Sequence, residues 1–167
     1  MNGSHVSKLR AAVRLAQPHH DPRDGWVLLF PTLDETGRAE TVLELLNSPR
    51  VVIPFLQGED ESVLLLVRDN IDWVAIDNGV DPRLVFPPER HTALQQRVEL
   101  RFVDERRLEA TIRWGNPAAP TRLSDFLDSP DPFVAADAGF GTLMVNKRRV
   151  REIRIVEHVD DAPSSTT

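Results

Sequence analysis

The sequence predicts a mainly β protein with short helices, built from two related small bent-sheet or barrel units packed as an internal pseudo-dimer. Three observations lead there. First, residues 25–76 and 109–155 each read as an apolar strand, a loop, a short helix ending in Leu-(Asn/Asp)-Ser-Pro, an apolar strand, another strand and a last strand. Leu46, Ser48 and Pro49 match Leu127, Ser129 and Pro130, and Leu64 and Ile76 match Leu143 and Ile155. Second, the strand segments lie too close together for crossover helices, so a small bent sheet or barrel suits them and a βαβ nucleotide fold does not. Third, the chain is 41% apolar and 28% charged, as an ordinary soluble globular protein is.

The elements follow in order. Residues 11–16 form a short strand or a helix end, and 17–24, with two prolines, form a loop. Residues 25–30 are a strand by their Trp, Val, Leu and Phe content. Thr41 begins a helix, with Glu44 completing a capping box; Val42, Leu45 and Leu46 share its apolar face, and Pro49 stops it. In the second unit Thr121 is the cap, Leu123, Phe126 and Leu127 form the face, and Pro130 is the stop. Strands are expected at 51–55, 63–67 and 71–76, and again at 132–136, 142–145 and 150–156. Arg68-Asp69-Asn70 and Asn146-Lys147-Arg148 have tight-turn composition. Residues 93–97 read as a helical turn, and 98–103 with 107–114 as a hairpin. The domain reading is a first unit at 1–80, a linker at 81–95, a second unit at 96–158 and a compositionally disordered tail at 159–167. Each unit is near the lower size limit for an independent core, so the two are expected to share burial.

Composition excludes several chemistries. The absence of cysteine removes disulfides, thiolate nucleophiles and cysteine metal sites. The net charge of −6 argues against a general polyanion binder. Residues 1–80 carry seven Lys/Arg against twelve Asp/Glu, whereas 81–167 carry thirteen against fourteen. No apolar run spans a bilayer, and the first ten residues lack a secretory signal. A cytoplasmic location is expected, and the excess of arginine over lysine hints at a GC-rich bacterial genome.

Several clusters invite a functional reading. His19-His20-Asp21 offers metal-ligating atoms, but neighbouring side chains seldom converge on one ion, so no metal site is expected. Glu59-Asp60-Glu61 reads as a solvated hairpin tip. Ser124-Asp125, with His91 and His158, lacks the strained turn and oxyanion hole of a hydrolase, so no catalytic residue is assigned. The glycines form no phosphate loop, and no cofactor is implied. The densest basic cluster, Lys147, Arg148 and Arg149 followed by Arg151 and Arg154, could meet phosphates of a nucleic acid or nucleotide. Trp73 stands out among the strand aromatics as a candidate partner anchor.

The hairpin over 98–114 and the strand pair over 143–153, with its polar Asn-Lys turn, resemble the Sm-like small barrels, and the repeated unit looks like small uncharacterised bacterial β domains. The resemblance implies a small, strongly bent barrel; it departs from the Sm pattern in placing its helix between the second and third strands. The functional expectation is a non-enzymatic adaptor or regulatory module that binds a protein through exposed strand edges. The last strand of each unit, 71–76 and 150–156, is the expected contact element, with Trp73, Arg151 and Arg154 as partner-binding residues. Nucleic-acid or nucleotide binding through 147–154, and a small-ligand receptor in the cleft between units, are the alternatives. Homo-oligomerisation is compatible with the duplication.

Overall fold

The computed structural model describes residues 8–32, 35, 37–115, 118 and 122–156 of the chain. Thr121, His158 and the tail at 159–167 lie outside the described residues. The fold is mainly β. The first half contains β1 (Leu9–Ala16), β2 (Arg23–Leu29), α1 (Val42–Asn47), β3 (Val52–Gln57), β4 (Ser62–Val67), a 3-10 turn (Arg68–Asn70) and β5 (Trp73–Ile76). The second half contains β6 (Leu94–Phe102), β7 (Arg107–Trp114), α2 (Leu123–Leu127), β8 (Phe133–Ala138), β9 (Gly141–Asn146), a 3-10 turn (Lys147–Arg149) and β10 (Val150–Ile155). All ten strands form one open antiparallel sheet in the order β10-β6-β7-β8-β9-β5-β1-β2-β3-β4. Within each half the fifth strand lies beside the first, and the two halves join where β5 pairs with β9.

Two apolar cores form on opposite faces of the strands at that join. The period-two alternation of a strand makes this possible. On β5, Val74 and Ile76 enter the first core and Ala75 the second. On β9, Met144 enters the first, while Leu143 and Val145 enter the second. On β8, Phe133 and Ala135 enter the first, while Val134 and Ala136 enter the second. These strands are therefore apolar on both faces, as centrally placed strands must be.

The local devices have clear causes. Thr41 caps α1, its hydroxyl accepting from the Glu44 N–H at 3.3 Å while the Glu44 carboxylate accepts from the Thr41 N–H at 2.9 Å. Val42, Leu45 and Leu46 are fully buried beneath it. Arg122, not Thr121, occupies the cap position of α2, its N–H donating to Asp125 at 3.2 Å. Gly25 is required by a close approach: an added Cβ would stand 2.2 Å from the Leu56 carbonyl and 2.4 Å from the Phe55 ring.

Two sequence expectations change and one open alternative is resolved. Residues 93–97 are not a helical turn, because β6 begins at Leu94, inside the expected linker, and keeps strand alternation through Val98, Leu100 and Phe102. Segment 11–16 is strand, part of β1, with Ala11, Val13 and Leu15 in the first core. Segment 71–76 is no sheet edge, since β5 is paired with β1 on one side and β9 on the other; its apolar residues on both faces need a core on each side.

Met144 is fully buried in the core of the other half. Met144→Ala is expected to cost about 2–5 kcal/mol through lost transfer energy and a cavity. Urea unfolding followed by far-ultraviolet circular dichroism and by tryptophan fluorescence measures it. Both signals should move together in one transition, because β9 belongs to both cores.

Candidate interaction surface

The join between the halves shows how this fold covers one of its own surfaces. Trp73, Val74 and Ala75 lie opposite Val145, Met144 and Leu143. Polar groups fix that register. The fully buried Asn146 donates its amide to the Ile71 carbonyl at 2.9 Å and accepts from the Arg148 N–H at 3.0 Å. Asp72, also fully buried, receives Arg106 at 2.5 Å and Arg149 at 3.1 Å. Arg106 also donates to the Gln17 carbonyl at 3.0 Å. Burial pushes the Asp72 carboxyl above its ordinary value, opposed by the Arg149 hydrogen bond and by the charges of Arg106 and Arg149. From the end of α1, Asn47 donates to the Phe133 carbonyl at 3.1 Å and accepts from the Phe133 N–H at 2.8 Å. One amide thus ties a helix of the first half to a strand of the second.

The matching surface of the first half is bare. In element order β3 and β4 hold the places in the first half that β8 and β9 hold in the second. Counted from the first residue of each strand, Phe133, Ala135 and Met144, buried in the second half, correspond to Val52, Pro54 and Leu65 in the first. Leu65 is 66% exposed, Val63 60%, Val67 43% and Val52 39%, with Val51 adjacent at 72%. Of the nine large apolar side chains exposed among the described residues, five are in this patch, so it is a concentration and not ordinary surface scatter. Among the described residues β4 pairs only with β3, and none of them pairs with its other edge. The contrast is also one of chemistry: Thr142 and Asn146 hold in β9 the strand positions that Val63 and Val67 hold in β4.

The sequence reasoning missed this patch. A run of Val and Leu reads as a strand, and its composition alone does not say which of its faces or edges is covered. The signal lay in comparing the two halves, where Val63 and Val67 replace the polar Thr142 and Asn146.

The opposite edge of the sheet is β10, and it is charged. Arg151 pairs with Glu105 at 2.5 Å, and Arg154 lies 3.7 Å from Glu152. Both arginines are exposed, whereas Trp73 is half-buried on the interior strand β5, its ring centroid 5.9 Å from that of Phe140. The structure does not bring Trp73 together with Arg151 and Arg154 on one edge. The basic cluster is largely engaged within the chain. Lys147 donates to the Leu127 and Ser129 carbonyls at 2.8 and 2.6 Å, closing the end of α2. Burial holds its ammonium below the ordinary value, with Asp131 and Asp128 pulling the other way. Arg148 pairs with Asp69 at 3.2 Å, and Arg149 with Asp72. In the first half Arg68 takes the place of Lys147 and donates to the Ser48 carbonyl. The shared Leu-(Asn/Asp)-Ser-Pro segment is therefore the acceptor of a cation from the following 3-10 turn in both halves.

A groove of about 850 Å³ is lined by Ala12, Arg14, Asp24, Trp26, Trp73 and Phe140 among others. Its arginine and Asp24 pair with each other at 2.8 Å. Among the described residues no three His, Cys, Asp or Glu side chains could together hold a metal ion. Ser124 and His91 are exposed. Glu61 pairs with Arg10, leaving Glu59 and Asp60 at the exposed turn between β3 and β4. No helix among the described residues is long and apolar enough to cross a membrane. Comparison with protein-family models, with curated proteins and with solved structures finds no match.

Asn47→Ala removes both hydrogen bonds to Phe133 and leaves a partly buried backbone pair unsatisfied. The expected cost is about 1–3 kcal/mol, read as a lower urea midpoint with an unchanged slope.

Proposed function

We propose that this chain is a non-enzymatic adaptor or regulatory module, a duplicated β unit packed as an internal pseudo-dimer, that binds a protein on the β3–β4 end of its sheet. One observation carries the reading: the patch formed by Val51, Val52, Val63, Leu65 and Val67 is uncovered, while its counterpart on β8 and β9 is covered by β5 and α1. A free strand edge supplies unpaired backbone donors and acceptors, and the neighbouring apolar side chains supply burial. Strand addition to β4 would use both. The charged edge β10, with Arg151, Glu152 and Arg154, has the composition by which sheet edges resist unwanted pairing. In this reading the binding residues are on β4, and Trp73 serves the join between the units.

Leu65→Asp tests it. The side chain is largely exposed, so the fold should change by less than about 0.5 kcal/mol, checked by thermal melting. Immobilised wild-type chain and the variant are each presented with nuclease-treated native lysate. The expected result is a stoichiometric protein retained by the wild type and lost from the variant. Equal retention by both would remove β4 from the reading.

A further inference from the structure

We infer that the occupant of the β4 edge is a second copy of this chain, paired antiparallel, β4 to β4, about a two-fold axis at Leu65. The inference rests on the reading of β3–β4 as an interface and names its partner.

The strand is self-complementary. A two-fold axis perpendicular to the sheet keeps each residue on its own face. Centred on Leu65, it sets Val63 opposite Val67 of the second copy, Leu64 opposite Leu66, and Leu65 opposite itself. Every pair is apolar on both faces of the sheet, and no charge falls within Ser62–Val67. Directly opposed side chains in such a pair lie within contact distance. The apolar row continues onto β3 of each copy, where Val52 lies beside Val67 and Pro54 beside Leu65.

Charge at the strand ends favours the same orientation. The turn preceding β4 carries Glu59, Asp60 and Glu61 against Arg10 alone. The far end carries Arg50, Arg68 and Arg148 against Glu40 and Asp69. Antiparallel pairing brings the net acidic end of each copy to the net basic end of the other.

The chain's own chemistry argues against the head-to-tail alternative, in which β10 of one copy would meet β4 of the next as β5 meets β9. At that register Glu152 would face Leu66 and Arg154 would face Leu64, inserting charges where the internal join has Trp73 and Ala75. The polar groups that lock the internal join are also missing. Asp72, Asn146 and Asn47 correspond to Arg151, Val67 and Asp128. The Asp128 side chain lacks the amide N–H that Asn47 donates to a carbonyl. Such a contact would have no natural closure, whereas a two-fold contact closes at two copies.

The absence of cysteine from the chain makes the test direct. Sedimentation equilibrium of the full chain across the micromolar range should give twice the monomer mass, and Leu65→Asp should return it to the monomer with its far-ultraviolet circular dichroism spectrum unchanged and a melting temperature that no longer depends on concentration. Leu65→Cys, mildly oxidised, should yield a covalent dimer because its two thiols lie opposite one another, and Ile153→Cys should not. A dimer that Leu65→Cys fails to cross-link, or a cross-link formed only when one chain carries both Leu65→Cys and Ile153→Cys, would overturn the two-fold pairing. A wild-type monomer would also overturn it. If that monomer still loses its lysate partner on Leu65→Asp, the β3–β4 interface stands with a different occupant. If capture is indifferent to the substitution, the interface falls as well.

Discussion

The pairing of β5 with β9 is the constraint on which the rest of the molecule depends. It joins two five-strand halves into one sheet and sets residues from each half into the core of the other. A lone half of this size buries a modest fraction of its surface. Sharing β5, β8 and β9 between two cores lets the same backbone serve burial on both faces. The polar locks at the join are placed where the strands leave the 3-10 turns. There Asn146 satisfies the Ile71 carbonyl, and Asp72 gathers two arginines. These groups contribute register more than bulk stability, because a one-residue slip would reverse every apolar side chain between the two cores.

Much of the local structure was legible in the sequence. The Thr41–Glu44 capping box and the proline stop define α1 because they satisfy or remove specific backbone donors. The turn at Arg68-Asp69-Asn70 was marked by its composition, and it forms a 3-10 turn. The β6–β7 hairpin was legible as two strands about a polar turn, though its first strand begins earlier than expected, at Leu94. What was not legible was long-range pairing. Nothing local to Ile71 or Trp73 says which strand lies beside β5, since Val145 is far along the chain. An interior strand was therefore read as an edge.

The candidate site was less legible for a related reason. An apolar strand has the same composition whether its neighbour is present or absent. Leu64 and Leu66 face the first core, whereas Val63, Leu65 and Val67 face outward, and only the fold separates them. The basic cluster misled in the opposite direction. Lys147 and Arg149 look like ligands for an external anion, yet they serve the carbonyls at the end of α2 and the Asp72 carboxylate. A cation cluster is an unreliable sign of an anionic ligand when the fold has exposed helix ends of its own to satisfy.

The join also orders events in time. The ribosome releases the first half before β9 exists, so β5 waits with one side open while some seventy further residues are made. During that interval the chain presents two bare strand edges, β5 and β4. Synthesis of β9 covers one of them from within. The partner strand carrying Met144 thus acts as a built-in chaperone for its own N-terminal half, and a nascent chain that stalls before Gly141 is the form most exposed to wrong association.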